Sequence, residues 1–70
     1  MLIKELGNTI KERRKLLGIT QQDLADLAGV NINTVIRIEG NKINPSIEVV
    51  SSIAEILGME LKLEVRKSTE

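Results

Sequence analysis

Asn33 and Arg37 stand four residues apart in a short apolar-spaced segment, one helical turn from each other. An asparagine amide can make paired hydrogen bonds to the edge of adenine, and an arginine can bond guanine or a phosphate. The plainer alternative is that both are ordinary solvated surface groups. Ile32 offers only methyls, so it could meet a thymine methyl and nothing polar. Covalent chemistry has far less to work with. The 70 residues contain no Cys, His, Tyr, Trp or Phe. That removes thiolate nucleophiles, histidine acid–base pairs, disulfides and zinc sites, and leaves carboxylates alone. The chain reads as non-enzymatic, with no cofactor and no metal.

Composition narrows the class further. The chain is 41% hydrophobic and 29% charged, with a mean hydropathy of −0.02, which fits one small globular domain. No run approaches the roughly 18 apolar residues of a spanning helix, and the first 11 residues hold no signal-peptide core. A cytoplasmic protein with no membrane association is the expectation. The net charge is zero, but residues 1–45 hold seven basic against five acidic side chains, whereas residues 46–70 hold three against five. The two ends therefore differ in what they can attract. A domain of this size buries only about 60% of its unfolded surface, so self-association is expected.

Punctuation by Gly18, Gly29, Gly40 and Gly58 divides the chain, each glycine falling where a helix would end in a left-handed residue. Residues 5–17 place Leu6, Ile10 and Leu17 on one face. Thr20 followed by Asp23 forms a capping box for a helix over residues 21–28, with Leu24, Ala25 and Ala28 inward. Asn31 caps a third helix over residues 32–39, with Val35 and Ile38 inward and Ile32, Asn33, Ile36 and Arg37 outward. Ile36 could pack against a sugar edge, against Ile32 or against a partner protein, the simplest reading being a scattered surface apolar residue. Residues 41–45 are a loop, and Ser46 caps a fourth helix over residues 47–57, inward at Val50, Ile53, Ala54 and Leu57.

After Gly58 the period changes to two. Met59, Leu61, Leu63 and Val65 alternate with Glu60, Lys62, Glu64 and Arg66, the pattern of a strand with one wet face. No second strand is readable, so this one must pair with its own copy or fold back on its own domain. Antiparallel pairing across a two-fold axis at Leu63 sets Glu60 against Arg66, Lys62 against Glu64 and Leu61 against Val65. An axis at Lys62 would oppose like charges instead.

Two short helices joined across Ala28, Gly29 and Val30 make a helix-turn-helix pattern. The longer string is more specific: Arg13-Arg14, Gly18 to Ala25, Gly29-Val30-Asn31, Thr34-Val35, Ile38-Glu39-Gly40, Asn44-Pro45-Ser46, Ile53-Ala54 and Leu57-Gly58. It closely resembles the DNA-binding domain of the phage-repressor and Cro-like (XRE-type) helix-turn-helix family over residues 6–58. The resemblance implies a mainly α fold with four helices in a repressor-like arrangement, to which the alternating pattern after Gly58 adds one C-terminal strand pairing across a homodimer. The implied divisions are a DNA-binding domain at 1–58, a dimerisation strand at 59–66 and a flexible tail at 67–70.

It also implies that the third helix enters the major groove of double-stranded DNA, with Ile32, Asn33 and Arg37 at the bases. Thr20, Gln21, Thr34 and Lys42 would meet phosphates, Thr20 being equally well explained as a cap and Lys42 as a loop lysine. In the resembling family the positions of Arg14 and Glu39 form a partly buried ion pair. From the residues alone Arg13 could equally be the one facing in. The expected function is a dimeric transcriptional regulator, a repressor of an inverted-repeat operator. The C-terminal strand is also similar to that of antitoxins of kinase-type toxin pairs, so a toxin protein is an alternative partner. An interaction module without DNA binding is a third possibility.

Overall fold

The computed structural model describes residues 3–63 and 65. Glu64, Arg66 and the tail at 67–70 lie outside the described residues. Four helices follow one another, α1 (Ile3–Leu16), α2 (Gln21–Ala28), α3 (Ile32–Glu39) and α4 (Ile47–Ile56). Helix α2 packs on both α3 and α4, and α1 packs on α3. They enclose one core built from Ile10 of α1, Leu24 and Ala25 of α2, Val35 and Ile38 of α3, and Ile53 and Leu57 at the fourth helix. All seven are apolar and buried, so removing their surface from water supplies the main drive for this packing.

Local chemistry fixes the helix ends. Thr20 accepts from the Asp23 amide at 2.9 Å while the Asp23 carboxylate accepts from the Thr20 amide at 2.9 Å, so two otherwise orphaned donors are satisfied reciprocally. Asn31 Oδ1 accepts from the Asn33 amide at 2.8 Å, and Ser46 Oγ from the Val49 amide at 3.2 Å. Between α2 and α3 the chain turns at Gly29, whose φ of 71° suits a residue without a Cβ.

Three sequence expectations change. Leu17 is 44% exposed instead of lining the core with Leu6 and Ile10. Helix α1 has already ended at Leu16, so its 3.6-residue period does not carry Leu17 inward. Gly40 keeps a negative φ of −88°. The left-handed position after α3 falls one residue later, at Asn41 with φ 56°, a conformation asparagine tolerates better than most residues. Ile32 is half-buried and packed against the core instead of standing clear of it. It belongs to the first turn of α3, which lies against the body of the domain.

No strand occurs among the described residues. A strand exists only by exchanging hydrogen bonds with a neighbour, and the described part of one copy supplies none after Gly58.

Candidate nucleic-acid interface

The position of α3 is set by a buried charged network. Arg14, from the last turn of α1, donates from Nε to Glu39 Oε2 at 2.7 Å and from its Nη2 to Glu39 Oε1 at 3.0 Å. Its third arm, Nη1, donates to the Ile19 carbonyl at 2.9 Å. Gln21, the first residue of α2, donates from Nε2 to the same Glu39 Oε1 at 3.1 Å. The Arg14 and Glu39 side chains are only 9% and 3% exposed. Hydrogen bonding to the Glu39 carboxylate, opposed by desolvation and reinforced by the carboxylate charge, raises the Arg14 pKa further above its ordinary value. One carboxylate thus ties α1, α2 and α3 together, and no buried side-chain nitrogen or oxygen among the described residues lacks a partner.

Arg14 is therefore the arginine that faces in, and Arg13 has separate work. Its Nε donates to the Leu57 carbonyl at 2.8 Å, placing a cation on an unpaired carbonyl just past α4. Gln21, taken from sequence as a phosphate candidate, has one amide hydrogen committed to Glu39. Its other hydrogen and its amide oxygen form no hydrogen bond among the described residues.

A second device brings α1 and α3 together. Gly7 is buried, and a Cβ there would lie 2.6 Å from Asn41 Oδ1, 2.9 Å from the Glu39 carbonyl oxygen and closer still to the Ile38 carbonyl oxygen. Only glycine lets α1 approach the end of α3 this closely. Gly7 is not among the four helix-end glycines that the sequence pattern singles out. The available signal was a glycine inside an otherwise helical pattern, which costs about 1 kcal/mol against alanine unless packing requires it.

With Val35, Ile38 and Glu39 facing inward, the outer side of α3 presents Asn33, Ile36 and Arg37, all exposed. Ile32 and Thr34 are half-buried at its start. Thr20, exposed, and Gln21, half-buried, lie at the N-terminus of α2, next to the C-terminal end of α3 through the Gln21–Glu39 bond. Lys42 is exposed, and its amide donates to the Arg37 carbonyl at 2.8 Å, holding this cation close to α3. Arg37 and Lys42 are cationic, whereas the Glu39 charge is met by Arg14. The Asp23 carboxylate accepts from the Thr20 amide, and this backbone hydrogen bond first, with the Thr20 hydroxyl second, lowers its pKa below the ordinary value. Among the described residues no group of three or more His, Cys, Asp or Glu could hold a metal ion. No described helix is long and apolar enough to cross a membrane.

Two helices joined at a left-handed glycine, the second locked to the domain by its inner face and open along its outer one, define a helix-turn-helix module. The helix-turn-helix family model matches residues 10–63. The chain is 43% identical over 51 residues to an uncharacterized HTH-type transcriptional regulator of Methanothermobacter thermautotrophicus, covering 73% of this chain and 74% of that protein. It is 38% identical over 57 residues to another such regulator, from Methanocaldococcus jannaschii, covering 81% and 86% of the two chains. Its fold is similar to the crystal structure of the clp gene regulator ClgR from Corynebacterium glutamicum, with a TM-score of 0.79 at 26% identity. That match covers 86% of this chain and 65% of the ClgR chain, just under two thirds of it. The chain belongs to the helix-turn-helix family of transcriptional regulators, which are not enzymes.

Proposed function

We propose that this protein is a sequence-specific DNA-binding regulator that represses transcription by occupying an inverted-repeat operator as a homodimer. Helix α3 lies in the major groove. Asn33 reads adenine, Arg37 reads guanine or a flanking phosphate, and the exposed part of Ile32 meets a thymine methyl. Thr20, Gln21, Thr34 and Lys42 fix the register on the phosphate backbone, Gln21 through the amide atoms that Glu39 leaves free. The observation that carries this reading is the exposure of Asn33 and Arg37 on a helix whose opposite side is locked by Arg14, Glu39 and Gln21. A groove-reading helix needs that rigidity, because base-edge hydrogen bonds tolerate little angular error.

Residues 1–58 form the DNA-binding domain, residues 59–66 the dimerising strand and residues 67–70 a tail. The strand pairs antiparallel with its copy, burying the row of Met59, Leu61, Leu63 and Val65 and presenting two α3 helices to half-sites about 34 Å apart. Such a regulator works in the cytoplasm, where its operator is.

The test is fluorescence anisotropy with duplex DNA from upstream of the protein's own gene containing an inverted repeat. Alanine at Asn33 or Arg37 should each weaken operator binding by about 1–3 kcal/mol while leaving the thermal melt in place. With about six to eight phosphate contacts per dimer, wild-type affinity should fall by roughly three to four decades between about 50 and 200 mM salt. Binding indifferent to salt, or unchanged by both substitutions, refutes the reading and favours a protein-interaction module.

A further inference from the structure

Between α1 and α4 lies a small recess of about 50 Å³, walled by Leu6, Ile10, Val50 and Ala54, with Met59 and Leu61 at its mouth. Ile10 and Val50 are buried, but Met59 and Leu61 are 36% and 49% exposed, so the mouth is only partly covered. The same alternating row continues past the recess with Leu63 and Val65 at 102% and 98% exposure. The chain's own Val65 therefore does not close the opening.

We propose that Val65 of a second copy fills this recess, so that each subunit completes the other's core. The inference rests on the homodimer proposed above and specifies what its ribbon covers. Residues 59, 61, 63 and 65 share one face of a strand. In an antiparallel pair, directly opposed residues also share a face, with Cβ atoms about 4.5–5.5 Å apart. With the axis at Leu63, Val65 of the second copy stands opposite Leu61. Leu61 lines the recess, so its neighbour on the same face is directed at the same opening. The two Leu63 side chains meet on the axis between the two recesses.

Charge is what selects this register among those that keep the apolar residues opposed. Only the axis at Leu63 opposes Glu60 with Arg66 and Lys62 with Glu64 on the outer face, whereas an axis at Lys62 opposes two lysines and sets Glu60 against Glu64. One sequence row thus satisfies the polar face and the apolar cavity with a single alignment, and a slip by one residue loses both.

The direct test uses the full chain, with one copy carrying labelled methyl groups mixed with an unlabelled copy, and intermolecular nuclear Overhauser effects as the readout. Contacts between the Val65 methyls of one copy and the Ala54 and Leu6 methyls of the other are expected. Sedimentation under the same conditions separates the outcomes. A monomer overturns the homodimer and this inference together. A dimer without those cross-peaks, or with Val65-to-Ala54 contacts only inside one chain, overturns this inference alone. Val65→Thr keeps the β-branched shape and strand preference but adds a hydroxyl. It should raise the dimer dissociation constant by about tenfold or more if both copies bury the residue. An unchanged constant shows that Val65 stays in water and overturns the inference.

Discussion

The corner from Thr20 to Glu39 and the segment after Gly58 satisfy their chemistry in opposite ways. In the corner, each cap, the turn and the buried carboxylate have partners inside the same chain, down to the third arm of Arg14 on the Ile19 carbonyl. After Gly58 the alternating apolar residues gain exposure as they leave the domain, and residues 59–63 take no regular structure. A surface that reads DNA must hold its geometry before the ligand arrives, since ordering it during binding would cost affinity. A surface that pairs with a second copy can be finished by that copy.

The comparison breaks most sharply at Arg14. Arg14→Ala leaves the Glu39 carboxylate buried with only Gln21 as a partner, and urea unfolding should show a loss of about 3–5 kcal/mol. That is most of the stability a small domain has. Replacing both partners by apolar residues, as in Arg14→Met with Glu39→Leu, should recover much of it, because no charge is then stranded. If the single variant costs less than 1 kcal/mol, the network does not hold α3.

Gly7→Ala tests the same corner from the α1 side. The added methyl meets the Ile38 and Glu39 carbonyl oxygens and must push the helices apart, with an expected loss of about 1–3 kcal/mol in the same unfolding experiment. Operator affinity should fall as well, since α3 moves while Asn33 and Arg37 remain. A neutral variant would mean that the close approach is dispensable.

How much was legible beforehand follows the range of each interaction. The α2 and α3 boundaries could be read to the residue, because Thr20, Asp23, Asn31 and Gly29 act within three or four positions of themselves. The inward-facing Val35, Ile38 and Ile53 followed from the helical period alone. Interactions between elements were not readable from the residues alone, and the Arg14–Glu39 pair was implied only by the family resemblance. Nothing local in the sequence told Arg13 from Arg14 or showed that Gln21 reaches Glu39 across 18 positions. Leu17 looked inward only because its helix was extended one residue too far. For the terminal segment the alternating pattern is plain, but no strand forms among the described residues.

The smallest effect separates two halves of the cap that starts the corner. Thr20→Ala removes the acceptor for the Asp23 amide but keeps the Thr20 amide that donates to the Asp23 carboxylate. It should cost about 1 kcal/mol near neutral pH and weaken part of the pH dependence, since the Thr20 hydroxyl is the second cause of the lowered Asp23 pKa. Asp23→Asn removes the ionised acceptor instead. The Thr20 backbone hydrogen bond lowers the Asp23 pKa in the folded chain, so the unfolded chain takes up its proton first as pH falls. That contribution is complete above about pH 4, the ordinary aspartate range, and fades as pH drops through the lowered folded value. Stability measured against pH should therefore show a shallower acid limb for Thr20→Ala than for wild type, with Asp23→Asn approaching wild type at low pH. If Thr20→Ala instead abolishes the acid limb altogether, the hydroxyl and not the backbone amide holds the carboxylate ionised.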